Sequence, residues 1–153
     1  MIIRRRRLSS GHYSLALHSS NQVTPSERVR DSAHAYRLLL PSFLRHMDIS
    51  ESCRLLALDA KCGVLGIHTH SQGGSCGTTL DHRLLFSVLL LSGAAKWILS
   101  HNHPGGSSSP SAEDYFITAR LMQASQHLGL QLCDHIILAR DGYYSFREHG
   151  KLP

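Results

Sequence analysis

The sequence predicts an α/β domain with a mixed β-sheet flanked by helices. Two observations carry this. Apolar runs of strand length (Glu51–Asp59, Val64–His70, Lys96–Ser100, Leu130–Ala139) alternate with stretches of helical period. Some neighbouring strands are joined by tight turns and others by whole helices, so antiparallel and parallel neighbours must coexist in one sheet. A third observation sets the scale: 153 residues, 42% hydrophobic and 18% charged, suffice for one soluble core without disulfide staples.

Taken in order, the chain opens on Arg4–Arg7, expected as a solvated basic tail with weak attraction for nucleic acid. It lacks the apolar stretch of a signal peptide. His12 to His18 alternates and is expected as a first, edge-type strand. Residues 1–20 are thus set apart as tail and first strand, and 21–153 as the main domain. Pro25-Ser26-Glu27 is expected to start a helix with Val29, Ala33, Tyr36 and Leu40 inward, and Pro41 to end or kink it. Glu51 to Asp59 is apolar on both faces, as in a central strand, and turns at Lys61-Cys62-Gly63 into Val64–His70. Gln72 to Gly77 is a Gly-rich loop. Leu80 to Leu91 is a buried helix stopped at Gly93. Ala112 to Leu128 is a helix with Phe116, Ala119, Met122 and Ala124 towards the core. A last hairpin turns at Asp141-Gly142.

Composition excludes several classes. The longest nearly apolar run, Leu84 to Ala95, is too short to span a bilayer, so no membrane partner is expected and the cytoplasm is the default location. Four cysteines without CxxC spacing argue for reduced thiols. The net charge of +5 owes four units to Arg4–Arg7, so the remainder does not demand a DNA-binding face.

Chemistry concentrates between residues 97 and 114. Trp97-Ile98-Leu99 leads into His101-Asn102-His103-Pro104, and imidazoles at i and i+2 of a strand share one side. Pro104 stops the strand, a Gly/Ser loop turns the chain back, and Asp114 arrives in the first turn of the next helix. Two imidazole nitrogens and one carboxylate oxygen suit Zn²⁺ and leave a fourth position for water, the composition of a catalytic site. Ser111 is a good N-cap with Asp114 at the third helical position. Its hydroxyl has two readings, cap alone or donor to a developing oxyanion. A hydrolase also needs a base for the activated water. Glu51, at the start of the central strand, is the candidate, with a solvated strand-start residue as the alternative. A look-alike lies upstream: His68-Thr69-His70 with Thr78 and Asp81 repeats the same offsets without the proline. It is expected to be a coincidence or a supporting group.

At Glu51, His101-x-His103-Pro104 and Ser111-x-x-Asp114 the sequence resembles the JAMM/MPN metalloprotease site. The wider pattern is similar to the RadC family: ESCRLLALD (51–59), GTTLD (77–81), ILSHNHPGG (98–106), DHII (134–137) and YSFRE (144–148), a likeness spanning residues 22–150. The resemblance implies a cytidine-deaminase-like α/β sandwich, zinc on His101, His103 and Asp114, Glu51 as catalytic base and Ser111 in transition-state stabilisation. Gly105 stands where the family usually has Ser, and Cys53 where it usually has an aromatic residue. Relatives carry an N-terminal helical region, so the chain is expected to be a short form. The function expected is that of a zinc metallopeptidase or isopeptidase acting on a peptide or protein. A DNA-associated repair or nuclease-type protein with the same metal, and a non-catalytic binding module, are the alternatives.

Overall fold

The computed structural model describes residues 2–7, 13–18, 27–45, 47–72, 80–140 and 142–153, with residues 2–7, 13–18 and 72 described by backbone alone. The expected Gln72–Gly77 loop beyond Gln72, Thr78, and Asp141 of the last turn lie outside the described residues.

Strands β1 (Ile2–Arg7) and β2 (Tyr13–His18) pair antiparallel as a small separate sheet. The backbone of the Arg4–Arg7 run is therefore a paired strand where an unpaired tail was expected. A partner strand satisfies its backbone groups, which a reading of charge alone does not weigh.

The main sheet contains β3 (Ser52–Leu58), β4 (Val64–Gln72), β5 (Lys96–Asn102), β6 (Gln131–Ala139) and β7 (Gly142–Ser145) in the order β4-β3-β5-β6-β7. Helices α1 (Ser32–Phe43), α2 (His82–Leu91) and α3 (Ala112–His127) flank it. β3 is antiparallel to both its neighbours, while β5 and β6 run parallel because α3 carries the chain back between them. The sheet is mixed, as expected.

Strand alternation divides the core. Cys53, Leu55 and Ala57 of β3, with Trp97 and Leu99 of β5, face Leu85, Val88 and Leu89 of α2 and Leu121 of α3. Leu56, Leu58 and Ile98 face Ala35, Leu39 and Phe43 of α1 on the other side. All seven residues of β3 are buried, and each large apolar side chain so placed contributes about 1.5–3 kcal/mol relative to exposure.

Three helical expectations shift. α1 begins at Ser32, with Asp31 as N-cap accepting from His34 N, because residues 27–29 are drawn into pairing with the β3–β4 turn: Val64 N donates to Glu27 O at 2.8 Å and Val29 N to Cys62 O at 2.9 Å. Its buried face is Ser32, Ala35, Leu39 and Phe43, with Pro41 inside its last turn. Ser32 is buried because its hydroxyl donates to Asp134, which also accepts from Ser145 Oγ, His135 N and Arg147 N, tying α1 to the β6–β7 corner. α2 starts at His82 behind an Asp81 cap. α3 buries Thr118, Leu121 and Ser125, leaving Phe116 56% exposed. Its inward stripe is partly polar: Ser125 Oγ accepts from Trp97 Nε1 at 3.1 Å, and Thr118 serves the site. Of the four residues expected inward, Met122 packs against the core and Ala124 is half-buried, while Phe116 and Ala119 are exposed. Among the described residues no helix is long and apolar enough to cross a membrane.

Candidate metal centre

β5 runs two residues beyond its expected end, to Asn102, so His101 stands in the strand and His103 just past it. On one side β3 pairs antiparallel with β5, Cys53 opposite His101, which puts the start of β3 at the same sheet edge. On the other, the parallel register sets His135 of β6 opposite Leu99, two positions before His101 on the same face.

Asp114 reaches this edge from the first turn of α3. The capping box is present: Ser111 Oγ accepts from Asp114 N at 3.2 Å, and Asp114 Oδ2 accepts from Ser111 N and Ser111 Oγ, both at 2.7 Å. The other carboxylate oxygen, Oδ1, lies 3.1 Å from His101 Nε2, and Oδ2 is 3.6 Å from His103 Nε2. The two Nε2 atoms are 2.9 Å apart. Donor atoms of His101, His103 and Asp114 all fall within 4.8 Å of one another, the one such grouping among the described residues.

Each imidazole is held at its other nitrogen. His103 Nδ1 donates to the Ser107 carbonyl at 2.9 Å, because the chain turns tightly after Pro104, with Gly106 N bonded to His103 O and Gly106 at φ +81°. With its proton on Nδ1, a neutral His103 presents Nε2 as a lone pair. His101 Nδ1 contacts His135 Nε2 at 2.9 Å. Two imidazole nitrogens and a carboxylate oxygen turned to one point fit a divalent transition metal. Two imidazole nitrogens at this separation need a proton or a metal ion between them.

The electrostatics follow. Burial raises the Asp114 carboxyl, but hydrogen bonds from His101 and His103, the His101 charge and the Ser111 hydroxyl outweigh it and hold the group far below the ordinary range. His103 is raised, chiefly by its hydrogen bond to Asp114 against the opposing effect of burial, with smaller contributions that include the charge of Glu51. His135 is pushed well below the ordinary imidazole value, first by burial and then by His101. Burial also drives the neighbouring Cys53 thiol up to about 12, keeping it protonated.

Glu51 sits half-buried one residue before β3. Asn102, fully buried, holds its segment: Oδ1 accepts from Ser52 N and Ser52 Oγ, each at 2.9 Å, while Nδ2 donates to Met47 O at 2.8 Å and Ser50 O at 3.0 Å. Strand alternation sends Asn102 to the face opposite the two histidines. One triplet therefore presents imidazoles on one side and grips the Glu51 segment from the other. Asn102, Thr118 and His135 are absent from the sequence-derived site. Asn102 and His135 lie inside the ILSHNHPGG and DHII runs, whereas Thr118 carried no signal.

The upstream look-alike does not converge. Asp81 Oδ1 accepts from Arg83 N at 2.9 Å and Leu84 N at 3.2 Å as the cap of α2, and those backbone bonds lower its carboxyl. The rings of His68 and His70 stand edge-on with centroids 6.0 Å apart.

A sheet sandwiched by helices, whose central strand ends in two imidazoles met by a helix-borne carboxylate, is the architecture of a JAB-type domain. The profile of the RadC-like JAB domain matches residues 29–151, and the chain belongs to that family. It is 42% identical over 102 residues to a UPF0758 protein of Thermotoga maritima, covering 67% of this chain and 46% of the relative. It is 37% identical over 132 residues to one from Picosynechococcus (86% and 54%) and 35% identical over 134 residues to one from Porphyromonas gingivalis (87% and 58%). The chain spans about half the length of the curated relatives it matches.

Proposed function

We propose that the chain is a zinc-dependent hydrolase, a metallopeptidase or isopeptidase acting on a peptide or protein substrate. The observation that carries this reading is the convergence of His101, His103 and Asp114 within 4.8 Å beside a half-buried Glu51. Two nitrogens and one oxygen are the donor set of a catalytic zinc, whereas structural zinc sites usually close with thiolates. No cysteine of the described residues is among the donor atoms that converge there. Access comes from the His103 side, whose side chain is 23% exposed against 7% for His101.

Bound there, zinc supplies Lewis acidity: it polarises a carbonyl and lowers the pKa of water towards about 7. The remaining work falls to the protein. Glu51 takes the proton released by the attacking water and returns it to the leaving amine. Asn102 fixes the main chain on both sides of Glu51, which limits the drift of its carboxylate. Ser111 is already committed as cap and donates to Asp114 Oδ2. A role in steadying an oxyanion requires its hydroxyl to turn from that oxygen towards the substrate.

The test is Glu51→Gln, assayed for metal content and for cleavage of peptides and isopeptide-linked conjugates that the zinc-loaded wild type cleaves. The variant should hold zinc as wild type does and lose turnover by a factor on the order of 10²–10⁴, the usual worth of a general base. Undiminished turnover would remove Glu51 from the mechanism.

A further inference from the structure

We propose that Thr118 and His135 form a hydrogen-bonded relay, anchored on the main-chain carbonyl of Asp114, that fixes His101 with its proton on Nδ1 and its Nε2 lone pair turned to the metal position. The inference rests on the reading of His101, His103 and Asp114 as metal ligands.

The proton positions follow from the network, starting from the one group that cannot donate. The Asp114 carbonyl oxygen lies 2.5 Å from Thr118 Oγ1, so the single hydroxyl hydrogen lies between them. Oγ1 must then accept in its second contact, with His135 Nδ1 at 2.7 Å, and Nδ1 carries a hydrogen. His135 is 1% exposed and stacks on Phe146 at 4.8 Å with the planes 14° apart. Its ring partners are a hydroxyl and an imidazole, neither an anion, so a charged ring here would be uncompensated. The ring is neutral and Nε2 is an acceptor. His101 Nδ1, 2.9 Å away, is therefore the donor, so a neutral His101 turns its Nε2 lone pair to the metal position.

His103 reaches the same state by a shorter route, through one loop carbonyl at Ser107. His101 lies in a buried strand, where the backbone carbonyls are engaged in the ladder, so its tautomer is set by a side chain of the neighbouring strand. The relay also couples two ligands. Asp114 and Thr118 are one turn apart on α3, and the residue that offers its carboxylate also offers the carbonyl that orients the relay. Phe146, with Tyr115 and Tyr144 edge-on to it at 5.2 and 5.4 Å, backs His135 with an apolar wall. Thr118 and His135 are positioning residues; they touch a ligand, not the substrate.

The test is zinc affinity, measured by titrating Zn²⁺ against a chromophoric chelator, for wild type, Thr118→Val, Thr118→Ser and His103→Ala, each checked for folding by circular dichroism. Ring-nitrogen NMR of zinc-loaded, ¹⁵N-histidine wild type accompanies it. Thr118→Val keeps the shape and removes the acceptor, and should weaken zinc about 10–100-fold, the usual cost of losing an outer partner of a ligand. Thr118→Ser restores the hydroxyl and should restore the affinity. In the wild-type spectrum His135 should carry its proton on Nδ1. A folded Thr118→Val with wild-type affinity, or a His135 proton on Nε2, overturns the relay. The spectrum decides even where the variant does not fold. Wild-type zinc affinity in His103→Ala would instead overturn the metal reading beneath it.

Discussion

His68-Thr69-His70 within β4 and His101-Asn102-His103 at the end of β5 share a setting: each precedes a helix and has an aspartate thirteen positions after its first histidine. Only the second brings its aspartate back. Asp81 is itself the N-cap of α2, so its Oδ1 is spent on two backbone N–H groups. Asp114 stands three positions inside α3, where one oxygen closes the capping box and the other points back at His101. The strands differ as well. The β3–β4 register slips between Cys53 and Arg54, so His70 falls in a bulge between Thr69 and Ser71. β4 is the edge of the sheet, while β5 has β3 on one side and β6 on the other, bringing Glu51 and His135 to the same end. Identical spacing makes a site only where the aspartate's place in its helix aims a carboxylate oxygen back at the histidines and both flanking strands contribute.

The strongest way to break this comparison is by metal content. Wild type should carry about one zinc per chain, His103→Ala should carry none, and His70→Ala should match wild type by elemental analysis of protein purified without chelator. The same contrast extends to stability. Zinc at a thousandfold its Kd adds about 4 kcal/mol to a protein that binds it only when folded, so a chelator should lower the Tm of wild type and of His70→Ala but not of His103→Ala. Zinc lost on replacing His70 alone would reverse the assignment of the two segments.

The middle residues of the triplets sharpen it further. Asn102 is fully buried and makes four hydrogen bonds, whereas Thr69 is exposed. Asn102→Ala strands two carbonyls and an N–H in the interior, and should lower the unfolding free energy of the metal-free protein by about 3 kcal/mol in urea titrations. Thr69→Ala should stay within about 0.5 kcal/mol of wild type. Equal effects would mean that Asn102 has no special hold on the Glu51 segment.

How much of this was legible in the sequence depended on the distance over which each feature is specified. The His101–His103 pair, the loop and the Ser111 cap are written within fourteen consecutive residues, and their local chemistry dictates their geometry. The alternation of β3 likewise assigns its residues to two core layers. The roles of Thr118 and His135 were hidden because their meeting with His101 depends on the packing of α3 on β6 and on the parallel register of β5 with β6, which no local pattern encodes. The inward face of α3 was read only in part, Met122 correctly, for a related reason: its buried stripe holds Thr118 and Ser125, whose burial is compensated by partners on other strands, while Phe116 stays outside. Asn102 occupies a position that an H-x-H pattern leaves undefined, and its importance belongs to the opposite face of the sheet.

The smallest expected effect makes the finest test, because it asks whether two aspartates in matching places have different work. Asn and Asp are about equally good N-caps, since either side-chain oxygen accepts from the same backbone donors. Asp81→Asn should therefore leave α2 capped, with Tm and zinc content both unchanged. At position 114 the same substitution removes the charge that two imidazoles share and puts a weaker neutral donor in its place. Asp114→Asn should still fold, because an amide oxygen can accept from Ser111 N, yet it should lose zinc at chelator concentrations that wild type withstands. If the two variants behaved alike, the position of an aspartate within the first turn of its helix would not be what separates a metal centre from a helix cap.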